Sequence, residues 1–447
     1  MAHRAYWNAD IETMAADELA ALQWSKLRRQ LEWVTARSPF YQRKLADAGL
    51  RASDLRQLGD LSTLPFTVKE ELRQSLEASP PLGEHAAVPM VDVIRVHSSS
   101  GTTGKPSYVG ITAKDRAAWT EVVSRVYWSE GVRPEDVVVH GFGLGFFVGG
   151  LPLKDAIENI GATFVPVGTG NSHRLLSSIA DLRATQLTCT PSYAQYLAEY
   201  CRRELGIPAA KLGLRRVMVG AEPGGGIPAV REALEQEYHA VVTEGLGNAD
   251  LIPVYAATCD ERDGMHFLAP DFLLLEVIDP ESGAVLSWED GLEGELVATH
   301  LERECVPLVR FRTRDRIVVK TSPCRCGRTG PRLFCIGRTD DMLIVAGVNV
   351  WPSAIADVIG SFRPRTTGAL QILLSEQGPK VTPPLRMQIE YGVDGVDVAS
   401  LKREIESRLR ERLVVMVDAE MVPAGTLPRF EMKAKLVRKL YEEEARA

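Results

Sequence analysis

No stretch of this chain is long and apolar enough to cross a membrane. The longest uncharged run, Val137 to Leu153, has 17 residues and carries five glycines, Pro152 and His140, whereas a spanning helix needs about 20 apolar residues. That run reads instead as a buried, glycine-rich strand and loop. The opening Met1-Ala2-His3-Arg4-Ala5-Tyr6-Trp7-Asn8-Ala9-Asp10 has no apolar core behind its early charge, so a secretory signal is not expected. An excess of basic charge is also missing: 52 Lys and Arg face 59 Asp and Glu, for a net charge of −7. Such a balance offers no attractive field to nucleic acid or an anionic membrane. Cysteine is scarce, and its count of seven is odd, which argues against a disulfide scaffold and for a reducing cytoplasm. None of the glycine clusters spells G-x-G-x-x-G, so the simple dinucleotide-binding reading falls away. There is no internal repeat and no long low-complexity linker.

What remains is an ordinary globular composition, 45% hydrophobic and 25% charged over 447 residues, at a length that implies about two to four domains. Apolar residues at helical spacing predict an amphipathic helix from Asp17 to Ala36, ended before Ser38-Pro39. Thr67 followed by Glu70 predicts a capped helix start, and another helix is expected from about Lys114 to Glu130. Strand-like runs at Asp136–His140, Ala162–Val167, Gln186–Thr190 and Arg216–Val219 alternate with helices, which predicts βαβ units and largely parallel sheet. Leu273–Ile278, Gly294–Thr299 and Asp315–Lys320 read as antiparallel strands of a small barrel or appended sheet. The text changes near residue 340. Strand-like Gly368–Leu374 and Leu385–Tyr391 precede a helix with Asp397 as N-cap and Leu401, Ile405, Leu409 and Leu413 on one face. The expected organisation is therefore α/β: a large N-terminal domain over 1–339, built of layered βαβ subdomains plus a small β-barrel, then a small mobile α+β domain over 340–447.

The chain is organised around Ser98-Ser99-Ser100-Gly101-Thr102-Thr103-Gly104-Lys105-Pro106, set between the extended runs Val91–Val96 and Tyr108–Thr112. Hydroxyls and bare N–H groups give many donors in a short space, and glycine lets the main chain approach a bulky anion. A Walker A loop would need glycine where Ser99 stands and Ser or Thr where Pro106 stands, so this is a phosphate-binding loop of another kind. The plainer alternative is a polar turn between two strands.

Further candidates lie downstream. Gly220-Ala221-Glu222-Pro223 follows a strand, the place where α/β sheets hold ligands, and reads as either a nucleotide contact or a plain strand-to-helix turn. Asp315 ends Pro307-Leu308-Val309-Arg310-Phe311-Arg312-Thr313-Arg314 and could accept both hydroxyls of a ribose. Phe142, Phe146, Phe147 and Tyr193 could wall a pocket for a planar aryl acid, or be ordinary core. Cys259, His266, Cys324 and Cys326 are a tetrahedral donor set for zinc if folding joins the two halves, although a Cys-x-Cys pair is a weaker signal than Cys-x-x-Cys.

In order along nearly the whole chain, Ser38-Pro39-Phe40-Tyr41, the loop Ser98–Pro106, Thr190-Pro191-Ser192-Tyr193, Gly220–Pro223, Phe311–Asp315, Gly337-Arg338-Thr339-Asp340-Asp341, Gly347-Val348-Asn349-Val350-Trp351-Pro352 and Leu427-Pro428-Arg429-Phe430-Glu431-Met432-Lys433-Ala434 resemble the phenylacetate–coenzyme A ligase family of adenylate-forming enzymes. The resemblance implies a reaction in which a carboxylate attacks the α-phosphate of ATP and a thiol, usually coenzyme A, then displaces AMP. It implies phosphate contacts from Ser98 to Lys105 and adenine and ribose contacts from Gly220, Ala221, Glu222, Pro223, Glu244, Gly245, Asp315 and Arg338. An acid pocket is implied at Phe142, Phe146, Phe147, Tyr193 and Leu246, with a hinge at Asp340. Lys433 would bridge carboxylate and α-phosphate. Some members bind zinc through a comparable Cys, His and Cys-Pro-Cys-Gly pattern, so the implied cofactors are ATP, Mg2+, coenzyme A and structural Zn2+.

Two departures stand out. Where relatives carry an aromatic-Gly-x-Ser/Thr-Glu string, this chain has Glu244-Gly245-Leu246-Gly247-Asn248, and an amide is a poor ligand for a hard cation; Asn248 with Asp250, or Glu244, would have to hold magnesium. Ala346 and Met432 replace the usual arginine and glycine. Three readings therefore stay open: an aryl- or arylacetyl-CoA ligase, an enzyme loading a carrier protein's phosphopantetheine arm or an amine, and a nucleotide-binding protein that has lost adenylation. The expected partners are a small aromatic acid and a thiol acceptor, with no nucleic acid and no membrane; a homodimer is compatible with the sequence.

Overall fold

The computed structural model describes residues 3–98, 107–392, 395–430 and 435–444. Ser99 to Lys105 and Lys433, all assigned roles above, lie outside the described residues. The chain forms two compact units, one of residues 1–188 with 243–334 and one of residues 189–242 with 335–447. Residues 189–242, which the sequence places in the large domain, thus pack with the C-terminal region.

In the first unit the long N-terminal helix spans Ala16–Arg37. Its Leu27, Leu31 and Val34 meet Tyr41, Leu45, Leu61 and Val309 in one buried cluster. Truncating one such leucine to alanine costs about 2–5 kcal/mol. The next start signal is displaced by one residue. The helix runs Lys69–Ala78 from Val68, whose N–H donates to Glu71 Oε2 at 2.9 Å. Thr67 is taken by tertiary structure, with its hydroxyl donating to the Val309 carbonyl at 2.7 Å and its N–H to the Arg310 carbonyl at 2.9 Å. Helix Ala113–Ser129 is capped by Thr112 and fixed by a buried ion pair, Arg125 Nη1 to Asp271 Oδ1 at 2.6 Å and Nη2 to Oδ2 at 3.0 Å. Removing one partner of such a pair costs about 3–5 kcal/mol.

Strand Val137–His140 pairs in parallel with Thr163–Val165 on one side and Gln186–Cys189 on the other, as the alternation predicts. Leu273–Ile278, Glu293–His300 and Phe311–Lys320 pair antiparallel. The last strand is longer than its sequence suggests because residues 311–314 also carry its alternation of buried and half-buried positions. Val241–Leu246, Ala256–Thr258, Met265–Phe267 and Arg332–Arg338 extend the antiparallel pairing. Leu273–Ile278 ends the strand order of this sheet.

In the second unit, strands Thr366–Leu374, Leu385–Tyr391, Val417–Pro423 and Val437–Lys439 make a four-stranded sheet. Helix Val398–Leu413 packs on it through Leu401, Ile405 and Leu409. Asp397 is its cap, accepting the Ser400 N–H at 3.0 Å, as read from the sequence. Helix Pro352–Gly360 contacts helix Pro228–Tyr238 in the same unit. Among the described residues no helix is long and apolar enough to cross a membrane.

Candidate active site

The segments that flank the hydroxyl-rich loop are an antiparallel hairpin, Arg95–Ser98 against Tyr108–Ile111, with Ser98 opposite Tyr108. His97 on Arg95–Ser98 is buried, and its ring lies 5.8 Å from that of Trp119. The hairpin also receives the aromatic glycine run: the Ser98 N–H donates to the Phe146 carbonyl at 2.9 Å, and Ser98 bridges Phe147 in parallel. That run folds tightly because of its glycines. A Cβ on Gly149 would sit 2.6 Å from the Phe147 ring, and one on Gly150 would sit 2.6 Å from the Gly143 carbonyl.

Of the acid-pocket candidates, Phe142 is buried and stands 5.6 Å, ring to ring, from His140, which also faces Phe164 at 5.2 Å. Burial pushes the His140 imidazole down to about 3, so it is neutral. Phe146 points outward, 53% exposed, against Tyr108 at 5.6 Å. Phe147 is half-buried. Tyr193, in the second unit, has no exposed surface.

Thr190 caps helix Pro191–Glu204 by accepting the Tyr193 N–H at 3.1 Å. Glu222 Oε1 accepts the Ser192 N–H at 2.8 Å, placing a carboxylate at the positive end of that helix. Gly224 fits only as glycine, since a Cβ would meet the Pro191 ring at 2.5 Å. Ala221 adopts φ 70°, a left-handed conformation unusual for a residue with a side chain. Gly220 to Pro223 thus form a fixed turn on a helix N-terminus within one unit.

Glu244, Gly245 and Leu246 end strand Val241–Leu246. Glu244 is buried, and its N–H donates to Thr258 Oγ1 at 3.0 Å. Gly247 is obligatory because a Cβ would lie 1.8 Å from the Pro253 carbonyl oxygen. Asn248 Oδ1 accepts the Asp250 N–H at 3.0 Å. Asp250 accepts from Lys69 Nζ through both carboxylate oxygens, each at 2.6 Å. The sequence offered Asp250 as a magnesium ligand without sight of Lys69, which lies 181 residues away; the carboxylate is already paired with a cation.

Asp315 is buried on strand Phe311–Lys320, with its N–H on Thr313 Oγ1 at 3.1 Å. In the second unit Arg338 grips Asp340, Nε to Oδ1 at 2.9 Å and Nη2 to Oδ2 at 3.0 Å. The predicted ribose contact and the predicted hinge are therefore each other's partners.

Cys259, His266, Cys324 and Cys326 converge, their ligand atoms all within 4.8 Å of one another. Cys259 and Cys324 sulfurs are 3.8 Å apart, and Cys326 Sγ lies 3.3 Å from His266 Nε2. Hydrogen bonds from Cys259 and His266 hold the Cys326 thiol strongly down, toward thiolate, while the Cys259 thiol is pushed up by its bond to Cys326. His266 Nδ1 is buried without a hydrogen-bond partner among the described residues. The N-terminal segment fastens this knuckle: Tyr6 donates to the Cys326 carbonyl at 2.9 Å, and Arg328 Nε donates to Glu12 Oε2 at 2.8 Å. Neither anchor has a local sequence signal.

Comparison with known proteins gives a consistent result. The AMP-binding enzyme family model matches residues 25–300, and the AMP-binding enzyme C-terminal domain model matches residues 347–440. A phenylacetate-coenzyme A ligase of Thermus thermophilus is 36% identical over 443 residues, covering 95% of this chain and 97% of that protein. One from Escherichia coli is 34% identical over 430 residues, covering 95% of each. A 2-hydroxyisobutyryl-CoA ligase in its postadenylation state, 28% identical, superposes with a TM-score of 0.91 over 100% of this chain and 95% of that one. In its thioesterification state, with acyl-AMP and coenzyme A, the same ligase gives 0.73 at 29% identity over 100% of this chain and 96% of that one.

Proposed function

Because the chain belongs to the AMP-binding enzymes and, within them, to the phenylacetate–coenzyme A ligase family, we propose that its substrate is an aryl or arylacetic acid, which it converts to a coenzyme A thioester. The general reaction is ATP-dependent activation of an acid through acyl-AMP, followed by transfer to coenzyme A. The observation that carries this reading is the match of both family models and of curated ligases at 33–36% identity.

Residue roles follow from placement and chemistry. Ser98 to Lys105 serve as donors for the ATP phosphates. Gly220–Pro223 and Glu244–Gly245 are each assigned to adenine, and Asp315 and Arg338 each to the ribose. Phe142 and Phe147 supply apolar surface for the acid, alongside Leu246. Lys433 supplies positive charge where a carboxylate meets a phosphoryl group, two anions whose approach is otherwise repulsive. Asp340 is the hinge for the C-terminal domain. Magnesium enters with the nucleotide; Asp250 does not fit as its ligand, since Lys69 holds both oxygens.

Three thiols and one imidazole at these separations fit zinc. A closed Cys3His site is structural, holding segments together with no open position for a reactant. It would pin strand Met265–Phe267 to the loop after Phe311–Lys320, the strand that carries Asp315.

The test is acid-dependent exchange of labelled pyrophosphate into ATP, run over aryl, arylacetic and short 2-hydroxy acids, followed by thioester formation with coenzyme A. Exchange with an aryl or arylacetic acid is expected. Exchange with short hydroxy acids alone overturns the substrate class. The substitutions at Glu244 and Asn248 favour a second reading, a nucleotide-binding protein without adenylation, and no exchange with any acid would establish it.

A further inference from the structure

The C-terminal motif is tied at both ends. Downstream of residues 431–434, strand Val437–Lys439 pairs in parallel with Thr366–Leu374. Upstream, Arg429 is gripped by Glu390, with Nη1 donating to Oε1 at 3.0 Å and Nη2 to Oε2 at 2.7 Å. Glu390 has no exposed surface and also accepts the Leu427 N–H at 2.6 Å and the Thr367 hydroxyl at 3.0 Å. Burial alone would raise its carboxyl, but Arg429 and the Leu427 N–H outweigh that and hold it below the usual range. This anchor belongs wholly to the C-terminal region.

Arg429 also reaches beyond Glu390. Its Nε donates to Glu199 Oε2 at 3.0 Å. Glu199 sits on helix Pro191–Glu204, which lies inside the AMP-binding match, whereas Arg429 lies inside the C-terminal-domain match. The two family domains are therefore joined, within one compact unit, by a charge-assisted hydrogen bond placed four residues before Lys433. Arg363 and Arg202 also feel this carboxylate or its neighbour Glu237, so Glu199 is one of two acids balancing three arginines.

We propose that Glu199 is a positioning residue for the adenylation half-reaction. Through Arg429 it holds the described residues before Lys433 on helix Pro191–Glu204, and it is released when the small domain turns for thiol transfer. The inference rests on the ligase reading above. Glu390 keeps its grip on Arg429 in both arrangements, because both residues move with the same domain. Glu199 is not among the residues assigned to nucleotide or acid, so its loss acts on turnover and not on substrate affinity.

The experiment compares Glu199→Gln, Glu199→Asp and Glu199→Lys with the unaltered full-length protein in three assays: pyrophosphate exchange, conversion of supplied acyl-AMP and coenzyme A to thioester, and hydrogen exchange of the 424–430 peptide. The pair is about a quarter exposed on each side, so its removal is expected to lower the exchange kcat by about three- to fivefold with KM unchanged. Glu199→Lys, facing Arg429, Arg363 and Arg202, lowers it by more than about tenfold, and Glu199→Asp recovers part of the loss. The thioester step is unchanged or faster, and hydrogen exchange at 424–430 accelerates in Glu199→Gln. Equal loss in both half-reactions, or no change in exchange kcat and no change in hydrogen exchange, overturns the proposal. An unaltered protein without pyrophosphate exchange defeats the ligase reading itself; hydrogen exchange then still reports whether Glu199 holds the segment.

Discussion

Removing the zinc proposed for the Cys259, His266, Cys324 and Cys326 cluster is the perturbation whose size the structure fixes best. Two Zn–S bonds of about 2.3 Å at a tetrahedral angle place their sulfurs about 3.8 Å apart, and a Zn–S with a Zn–N bond places sulfur and nitrogen about 3.5 Å apart. The observed 3.8 Å and 3.3 Å match that geometry. Cys259 and Cys324 are separated by 65 residues, and closing a loop of that length restricts the unfolded chain by about 4 kcal/mol on the disulfide scale. The strands Ala256–Thr258, Met265–Phe267 and Arg332–Arg338 are also held by their own backbone pairing, so the full binding energy of a small zinc finger is not at stake. For a large unit each kcal/mol moves the melting temperature by about 2–4 °C. Cys326→Ser, or a strong chelator, should therefore lower it by on the order of 10 °C. The assay is elemental analysis of the purified protein with a melting curve before and after chelation. Hydrogen exchange over residues 3–14 should rise in parallel, because Tyr6 and Glu12 anchor that segment to the knuckle. Protein that carries no zinc, and melts at the same temperature with Cys326→Ser or chelator, would refute the site.

Lys433→Ala should lower pyrophosphate exchange by about 100-fold or more with the melting curve unchanged; undiminished exchange removes Lys433 from its role. Stability should fall on acidification from pH 6.5, because burial depresses His85 to about 4 and His140 and His300 to about 3. These groups stay neutral in the folded chain while the unfolded chain takes up protons, so each contributes a loss of up to about 2 kcal/mol between pH 6.5 and pH 5. Urea midpoints that do not move over that range would contradict the burial of these histidines.

The parallel core, the helix Ala16–Arg37 and the cap at Asp397 were legible because periodicity and capping act over a few residues. The family was legible for the same reason: its motifs are contiguous strings. Pairings at long range left no such trace. Lys69 meets Asp250 across 181 residues and Arg429 meets Glu199 across 230, and no local pattern distinguishes those side chains from solvated charges. Thr67 looked like a cap until the Val309 carbonyl claimed its hydroxyl. Aromatic type marked the glycine-rich loop but not direction, so Phe146 is exposed and Phe142 buried. The grouping of 189–242 with the C-terminal region arises from helix packing between Pro228–Tyr238 and Pro352–Gly360, which hydrophobic pattern alone does not pair.

Magnesium is where sequence and structure pull apart most sharply. A cation ligand must offer an anionic oxygen that is not already neutralised. Asp250 has both oxygens on Lys69 at 2.6 Å, and recruiting it would strand a lysine ammonium that is only 27% exposed. Breaking that charged hydrogen bond costs about 1.5–3 kcal/mol, which a weakly held ion would have to supply. Asp250→Asn should therefore reduce stability by about that amount and, with Lys69 no longer balanced, depress the nearby His85 further, since Asp250 raises and Lys69 lowers its pKa. The magnesium concentration that half-saturates pyrophosphate exchange should stay within about twofold of the unaltered protein. A rise of about tenfold or more, which even the loss of an outer-shell partner of a metal ligand produces, would show instead that Asp250 leaves Lys69 when nucleotide binds and that the Glu244–Asn248 departure is compensated two residues further on.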